Sequence, residues 1–172
     1  VAPVKAVTGP RYTTRSPPHS REYPTYAESN MPTDTSTTPT PLTDLNLFAG
    51  LSRSELRAVQ RLMTPVRVRA GRDLTREGET GREFLIIVDG TATVRRQGRV
   101  VATLGNGDFV GELSMLAGVP RTATVTADTD LTVEALNRRE FASLLDQNPR
   151  LARKVMVGAI RRLHAVDHGP AD

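Results

Sequence analysis

Two charged residues and the segment between them carry the chemistry that this sequence offers. Arg121 presents a planar fork of N–H donors that matches two oxygens of a phosphate, and such charge-assisted hydrogen bonds are strong. Thr122 adds a hydroxyl beside it. Glu112 would repel a phosphate, so it fits the same site only if it faces a donor such as a sugar hydroxyl or orients the arginine. We therefore expect a ligand that carries both a phosphate and a sugar.

Backbone amides are expected to complete this site. The stretch from Leu113 to Leu116 is too short for a packed helix, yet it is long enough for one helical turn whose first amides remain free. Gly111 precedes that turn and lets a ligand approach the backbone closely. Free amides at a helix start attract anions, because the donors and the helix dipole point the same way.

Short β-rich runs surround this segment and predict an antiparallel roll. Strands are expected over residues 66–70, 72–76, 83–89, 91–96, 100–104, 123–127 and 131–137. Asp89-Gly90 and Gln97-Gly98 are typical of tight hairpin turns, since glycine tolerates the positive φ that such turns require. We therefore expect consecutive strands to pair in antiparallel fashion.

Helices are expected on both sides of the roll. Ser52 and Glu55 form a capping-box pattern that opens a helix over residues 53–63. Asn137 is the expected N-cap of a second helix, and Pro149 opens the last one. The apolar side of the last helix is expected to pack on the roll and comprises Ala152, Val155, Met156, Ala159, Ile160 and Leu163. Its opposite, arginine-rich side is expected to face solvent.

The chain of 172 residues has room for one ordinary domain and an appendage. Residues 1–42 concentrate proline, threonine and serine and show no apolar period, which predicts a disordered tail. The folded domain is expected over residues 43–168, and residues 169–172 are expected to be a disordered C-terminus.

Several function classes are disfavoured by composition. The chain has no cysteine, and its three histidines lack the spacing of metal ligands, so no metal site is expected. No apolar run approaches the roughly 20 residues of a membrane helix, which predicts a cytoplasmic protein without membrane contact. The 23 basic residues are scattered among 19 acidic ones, a pattern that argues against nucleic-acid binding. The sequence shows no activated nucleophile, and no paired acid and base outside the segment that contains Glu112 and Arg121, so we do not expect an enzyme.

The spacing of Gly111-Glu112-Leu113 and Pro120-Arg121-Thr122 resembles the phosphate-binding cassette of cyclic-nucleotide-binding domains. This family includes the catabolite activator and the regulatory subunit of protein kinase A. The similarity extends from about residue 45 to residue 163 and includes the strand that begins at Phe84. It implies a mainly β fold, a double-stranded β-helix or jelly roll with one helix before it and two after it.

The resemblance also implies roles for single residues. Glu112 and the backbone of Gly111 would hold the ribose 2′-hydroxyl, and Arg121 would pair with the cyclic phosphate, to which the amides of Ser114 and Thr122 would donate. Leu104 would touch the purine, and the last helix would close over the base through Ile160, Arg161 or Leu163. The expected site residues are therefore Leu104, Gly111, Glu112, Leu113, Ser114, Arg121 and Thr122.

The identity of the base stays open between two nucleotides. Thr122 resembles the residue of domains that prefer cGMP, because a hydroxyl there would bond the guanine amino group, but similar bacterial domains with Ser or Thr bind cAMP. We expect cAMP as the ligand, with cGMP as the alternative. Val110 departs from the family pattern, which commonly has an aromatic residue before the Gly-Glu pair.

The expected function is that of a cyclic-nucleotide sensor, a regulatory module without its own DNA-binding or catalytic domain. Too few residues follow Ala165 for a helix-turn-helix, so this chain alone is not expected to bind DNA. The protein effector is unknown, and the oligomeric state stays open, a homodimer included. The alternative function is a β-roll interaction scaffold that has lost nucleotide binding, in which Arg121 and Glu112 would merely form an ion pair at a turn.

Overall fold

The computed structural model describes residues 40–167, with the side chains of residues 165–167 excepted. The predicted disordered tail, as far as residue 39, and the predicted disordered end at residues 169–172 lie outside the described part. Leu42 is already buried within the folded part, one residue before the boundary expected at residue 43.

Within the described residues, eight antiparallel strands form two four-stranded sheets. The first sheet has the order β1-β8-β3-β6 and the second the order β2-β7-β4-β5. The strands are β1 Thr64–Val68, β2 Asp73–Thr75, β3 Glu83–Asp89, β4 Ala92–Arg96, β5 Arg99–Leu104, β6 Phe109–Val110, β7 Thr124–Ala127 and β8 Leu131–Asn137. The mainly β roll with flanking helices is confirmed. Strand β6 was not among the expected strands, because a run of two residues has no readable period.

The expected pairing of consecutive strands was wrong for most of the roll. Within residues 40–167, β4 and β5 are the only strands adjacent in the sequence that pair with each other. The turn that joins them has φ of 49° at Gln97 and 77° at Gly98. Asp89-Gly90 does not make a hairpin, because it carries the chain from the first sheet to the second. A turn signal predicts a local reversal of the chain, whereas the burial of side-chain faces selects the strand partner.

Between residues 40 and 167 the chain also forms four helices and two short 3-10 turns. The helices are α1 Arg53–Gln60, α2 Glu112–Ala117, α3 Arg138–Gln147 and α4 Pro149–Asp167, and the 3-10 turns are Leu42–Asp44 and Asn46–Phe48. The capping boxes expected at Ser52 and Asn137 are both formed, with each N-cap side chain accepting from the amide three residues later. Helix α1 ends at Gln60 rather than at residue 63.

Strand β3 connects two hydrophobic cores. Its five central residues are all buried, since Phe84, Ile86 and Val88 face the helices while Leu85 and Ile87 face the second sheet. This double burial explains an apolar run without alternation. It places the helices against one sheet and leaves the other sheet free to border a cavity.

Helix α4 differs from its expected packing in two ways. Leu151, Val155 and Ala159 are buried, but Met156, Ile160 and Leu163 are about half exposed, so only part of the expected apolar side packs on the roll. The basic side is not merely solvated, because the ammonium of Lys154 donates to the carbonyls of Asn46, Leu47 and Ala49 at 2.7, 3.2 and 3.0 Å.

Glu134 on β8 is a half-buried acid whose environment disfavours the charged form of its carboxyl. Its Oε2 atom has no hydrogen-bond partner among the described residues, and burial raises the pKa of its carboxyl above the ordinary value of 4.5. The native state therefore holds this proton more tightly than the unfolded chain, so the free energy of unfolding falls as pH rises through the interval from 4.5 to the raised pKa.

We predict that Glu134→Gln raises the free energy of unfolding at neutral pH, because it removes the charge whose burial is unfavourable. The gain over wild type should shrink toward zero as the pH falls to about 4. Urea unfolding followed by circular dichroism across this range measures both. Glu79→Gln, which removes an exposed carboxylate, is the control and should show no such gain. An identical pH dependence of wild type and Glu134→Gln would contradict the prediction.

Candidate functional site

A cavity of about 430 Å³ lies between the second sheet and helix α2. All seven residues predicted for the site line its wall. The other lining residues are Thr75, Val94, Arg96, Gln97, Arg99, Val101, Ala102, Val110, Ala123, Val125 and Arg162. Four of the lining side chains are arginines and one is a glutamate, so the cavity favours an anionic ligand.

Arg121 lies deep in this wall with one side of its guanidinium unpaired. Its side chain is buried, with only 9% of the residue exposed, and Nη2 donates to the carbonyl of Glu83 at 2.7 Å. The Nη1 atom is buried without a hydrogen-bond partner among the described residues. Burial lowers the pKa of Arg121, and the nearby carboxylates of Glu83 and Glu112 oppose that shift. An arginine keeps its charge in proteins, so this N–H group is a cationic donor that an anion would satisfy.

Two glycines make room for the guanidinium of Arg121, because they have no side chain. A Cβ atom at Gly81 would lie 2.7 Å from the Nε atom of Arg121, and one at Gly111 would overlap the Nη1 atom and lie 2.5 Å from the carbonyl oxygen of Glu83. Gly111 also has φ of +93°, which side chains rarely adopt. The sequence identified Gly111 as a site residue, but Gly81 only as turn punctuation, since nothing local marks its contact with an arginine 40 positions away.

Gly111 directly follows strand β6 and is the N-cap of helix α2. It has no side chain to cap the helix, so the first amides of α2 start at the cavity without a capping partner. Leu113 and Ser114 follow and are buried, which fixes the helical turn against the wall. Thr122 is exposed at the rim, and Leu104 is buried at the end of β5 in the apolar part of the wall.

Glu112 is a buried acid with a partner that the sequence did not suggest. Only 2% of Glu112 is exposed, and its Oε1 atom accepts a hydrogen bond of 2.6 Å from Nη1 of Arg162 on α4. The scaffold alternative assumes an ion pair between Arg121 and Glu112, and this expectation was wrong. Glu112 pairs with Arg162, whereas Arg121 donates to the carbonyl of Glu83. Both Arg121 and Glu112 line the cavity wall.

Arg162, and none of the three expected α4 residues, reaches the cavity. Ile160, Arg161 and Leu163 are exposed and do not line the wall, which corrects the expectation that one of them closes the site. The guanidinium of Arg162 lies 4.9 Å from the centre of the Phe109 ring, within the range of a cation–π contact. Helical spacing gives part of the reason why Arg162 faces the roll, because residue 162 continues the buried stripe of Leu151, Val155 and Ala159.

Two negative findings hold for the part of the chain that the structure describes. No group of three or more histidine, cysteine or acidic residues there is arranged to hold a metal ion. No helix in residues 40–167 is both long enough and apolar enough to cross a membrane.

Comparisons with known proteins agree with the fold. Residues 65–148 match the family model of the cyclic nucleotide-binding domain. The chain is 34% identical over 116 residues to a cyclic nucleotide-gated potassium channel of Rhizobium etli, covering 67% of this chain but only 32% of the channel.

Solved structures resemble the fold over most of the described part. A protein kinase A regulatory-subunit domain bound to Sp-2Cl-cAMPS has a TM-score of 0.64 and 26% identity, covering 73% of this chain and 86% of that one. The regulatory subunit of a cAMP-independent protein kinase A from Trypanosoma brucei has a TM-score of 0.60 and 28% identity, covering 66% and 42%.

Proposed function

Because residues 65–148 belong to the cyclic nucleotide-binding domain family, we propose that this chain is a cytoplasmic regulatory module that binds a cyclic nucleotide, cAMP in preference to cGMP. The module acts by binding rather than by catalysis. Occupation of the cavity changes the balance between two states of the domain, and a separate protein effector responds to that change.

One observation carries this proposal: the buried Nη1 donor of Arg121 has no partner among the described residues and lines the cavity. A buried N–H group without a partner lowers stability, and a charged one does so more strongly. A fold retains such a group where a ligand supplies the acceptor. The cyclic phosphate carries one negative charge, which matches the single guanidinium of Arg121.

The sugar is assigned to Glu112. A carboxylate repels a phosphate but accepts a hydrogen bond from a hydroxyl, and Glu112 lines the same wall as Arg121. Its Coulombic influence on the pKa of Arg121 indicates that the two groups are near one another. A ligand with a phosphate and a neighbouring hydroxyl satisfies both groups.

The base is assigned to the apolar part of the cavity, where Val94, Ala102 and Leu104 line the second sheet. The preference for cAMP rests on a structural relative that is bound to Sp-2Cl-cAMPS. Thr122 supports cGMP as the second ligand, because its hydroxyl at the rim would reach a guanine amino group.

A scaffold without nucleotide binding is the second candidate. It is favoured by one observation, namely that a relative with the same fold is described as belonging to a cAMP-independent kinase. Under this function the unpaired donor of Arg121 would have no ligand, and the cavity would serve no purpose that the described residues reveal.

Isothermal titration of the purified chain with cAMP, cGMP and 5′-AMP separates the two functions. We expect saturable one-site binding of cAMP, weaker binding of cGMP, and the weakest binding of 5′-AMP, whose open phosphate lacks the ring geometry. If neither cAMP nor cGMP bound to the chain, the proposal would be refuted and the scaffold function favoured.

A further inference from the structure

We infer that Arg96 and Arg99 form a second phosphate-binding subsite in the cavity wall, which takes a phosphate group other than the one assigned to Arg121. The inference rests on the proposed function and extends it to a class of ligand, a cyclic nucleotide that carries a second phosphate. Of the four arginines that line the wall, Arg162 pairs with Glu112 and Arg121 is assigned to the cyclic phosphate. A ligand with one negative charge therefore leaves two guanidiniums without a partner.

Strand β5 contains a β-bulge at Val101. Val94 of β4 lies opposite Ala102, whereas the next residue of β4, Arg95, lies opposite Val100. Val101 is therefore an extra residue in β5 without a partner on β4. A bulge of this kind re-aims the side chains beyond it, and bulges are frequent beside functional sites.

The bulge places Arg99 directly opposite Arg96. In an unbroken register Val100 would lie there instead, because a shift of one residue moves every side chain to the other face of the strand. Both arginines line the cavity, whereas Val100 does not line it and is 61% exposed. The bulge thus gives this part of the wall a second guanidinium in place of an apolar side chain.

The pairing of Arg96 with Arg99 is unfavourable without an anion. Like charges directly opposite one another on paired strands are destabilising. Arg96 is half-buried and Arg99 is exposed, and neither side chain has a hydrogen bond or ion pair within residues 40–167. The carboxylate of Glu77 reaches the same hairpin, but it accepts from the backbone amide of Gln97 at 2.8 Å. A phosphate would remove the repulsion, because its oxygens accept from both planar forks.

The second subsite adjoins the first along the wall. Arg95 on β4 pairs with Thr124 on β7 in antiparallel register. The tip of the β4–β5 hairpin therefore lies beside the residues that lead back from Thr124 to Thr122 and Arg121. One ligand with two phosphates can reach both subsites, so the geometry favours a second phosphate on the nucleotide over a free phosphate ion.

Isothermal titration with cAMP and with cyclic di-AMP, which has the same base and a second phosphate, tests the subsite. We expect wild type to bind both nucleotides. Arg96→Gln and Arg99→Gln should each weaken cyclic di-AMP binding about tenfold but cAMP binding less than about threefold, because cAMP has no second phosphate to lose. Arg95→Gln removes the same charge from the same hairpin at a position that does not line the cavity, and it should leave both affinities unchanged.

A variant of unchanged composition separates direct contact from long-range attraction. Arg99→Val combined with Val100→Arg keeps the net charge but moves the guanidinium to the outer face of the sheet. We expect the same tenfold loss of cyclic di-AMP affinity as in Arg99→Gln, with circular dichroism to confirm folding. If the folded double variant bound cyclic di-AMP like wild type, long-range attraction would explain the binding and the inference would be overturned.

Titration of the cAMP-saturated protein with inorganic phosphate identifies the source of the second phosphate. Phosphate binding that Arg96→Gln and Arg99→Gln abolish, with cyclic di-AMP bound no more tightly than cAMP, would assign a free phosphate ion to the subsite. A wild type that binds cAMP but neither probe, or variants that bind both probes normally, would refute this inference alone. A wild type that binds no cyclic nucleotide would refute the proposed function, and titration of the empty protein with phosphate would then test the subsite separately.

Discussion

Arg121→Ala is expected to lower the affinity for cAMP by about a hundredfold. Losing one charge-assisted hydrogen bond to a phosphate costs about 1.5–3 kcal/mol, which corresponds to roughly tenfold to 150-fold in the dissociation constant. The upper part of this range applies because Arg121 is almost fully buried, where water cannot replace the lost donor. The Glu83 carbonyl holds the other side of the guanidinium, so the donor is already in position before a ligand arrives.

The same substitution should change stability much less than affinity. Arg121→Ala removes a buried donor that has no partner among the described residues, and that loss favours folding. It also leaves a void beside Gly81 and Gly111, which opposes folding. Since these two effects oppose one another, the free energy of unfolding is expected to change by less than the free energy of cAMP binding does. The thermal midpoint should therefore shift only slightly.

Isothermal titration with cAMP and thermal unfolding by circular dichroism measure the two effects of Arg121→Ala. Arg121→Lys keeps the charge but not the planar fork, so it should bind with intermediate or lower affinity. Arg153→Ala, an exposed arginine of α4, is the matched control and should bind like wild type. Unchanged affinity of a folded Arg121→Ala protein would remove the basis for placing the phosphate at this residue.

The second large effect is expected at Gly111, and Gly118 provides its internal control. The two glycines flank helix α2, and both have left-handed backbones, with φ of +93° and +68°. A side chain in this conformation costs about 1–2 kcal/mol. A Cβ atom at Gly118 would meet nothing within 4 Å, so Gly118→Ala should lose about that much stability and keep its affinity.

Gly111→Ala should carry the same backbone cost and also displace Arg121. Its Cβ atom would overlap the Nη1 atom and lie 2.5 Å from the carbonyl oxygen of Glu83, so it would separate the donor from its support. We therefore expect affinity for cAMP to fall by at least about a hundredfold, as for Arg121→Ala, together with a larger loss of stability than in Gly118→Ala.

Titration with cAMP and urea unfolding of the two glycine variants test this difference. The contrast between the variants is the decisive quantity, because both change the same residue type at the ends of one helix. If Gly118→Ala lost as much affinity as Gly111→Ala, the effect would come from backbone strain in α2, and the contact between Gly111 and Arg121 would not be its cause.

Much of the local structure was predictable because its causes lie within a few residues. The capping boxes at Ser52 and Asn137 join atoms three positions apart, and both formed. The Gln97-Gly98 turn formed for a similar reason, since its backbone conformation depends on the two residues themselves. The family motif also identified seven of the residues that line the cavity, because a close spacing of Gly111, Glu112 and Arg121 places them in neighbouring segments.

Sheet membership and the partners of the site residues could not be predicted in this way. The Asp89-Gly90 signal did not reveal that β4 belongs to the other sheet, because strand partners depend on which faces become buried after the whole roll has packed. Likewise Met156, Ile160 and Leu163 of α4 are about half exposed, whereas helical periodicity alone assigned them to the core.

The amino-acid sequence by itself determined the type of fold, the first residues of helices α1, α3 and α4, and which segment lines the cavity. Only the tertiary structure decided that Glu112 pairs with Arg162, fifty positions away, and that Gly81 makes room for Arg121. The physical reason is the range of the forces involved. Capping and turn formation act between near neighbours in the chain, while burial and ion pairing act between whichever groups the packed layers bring together.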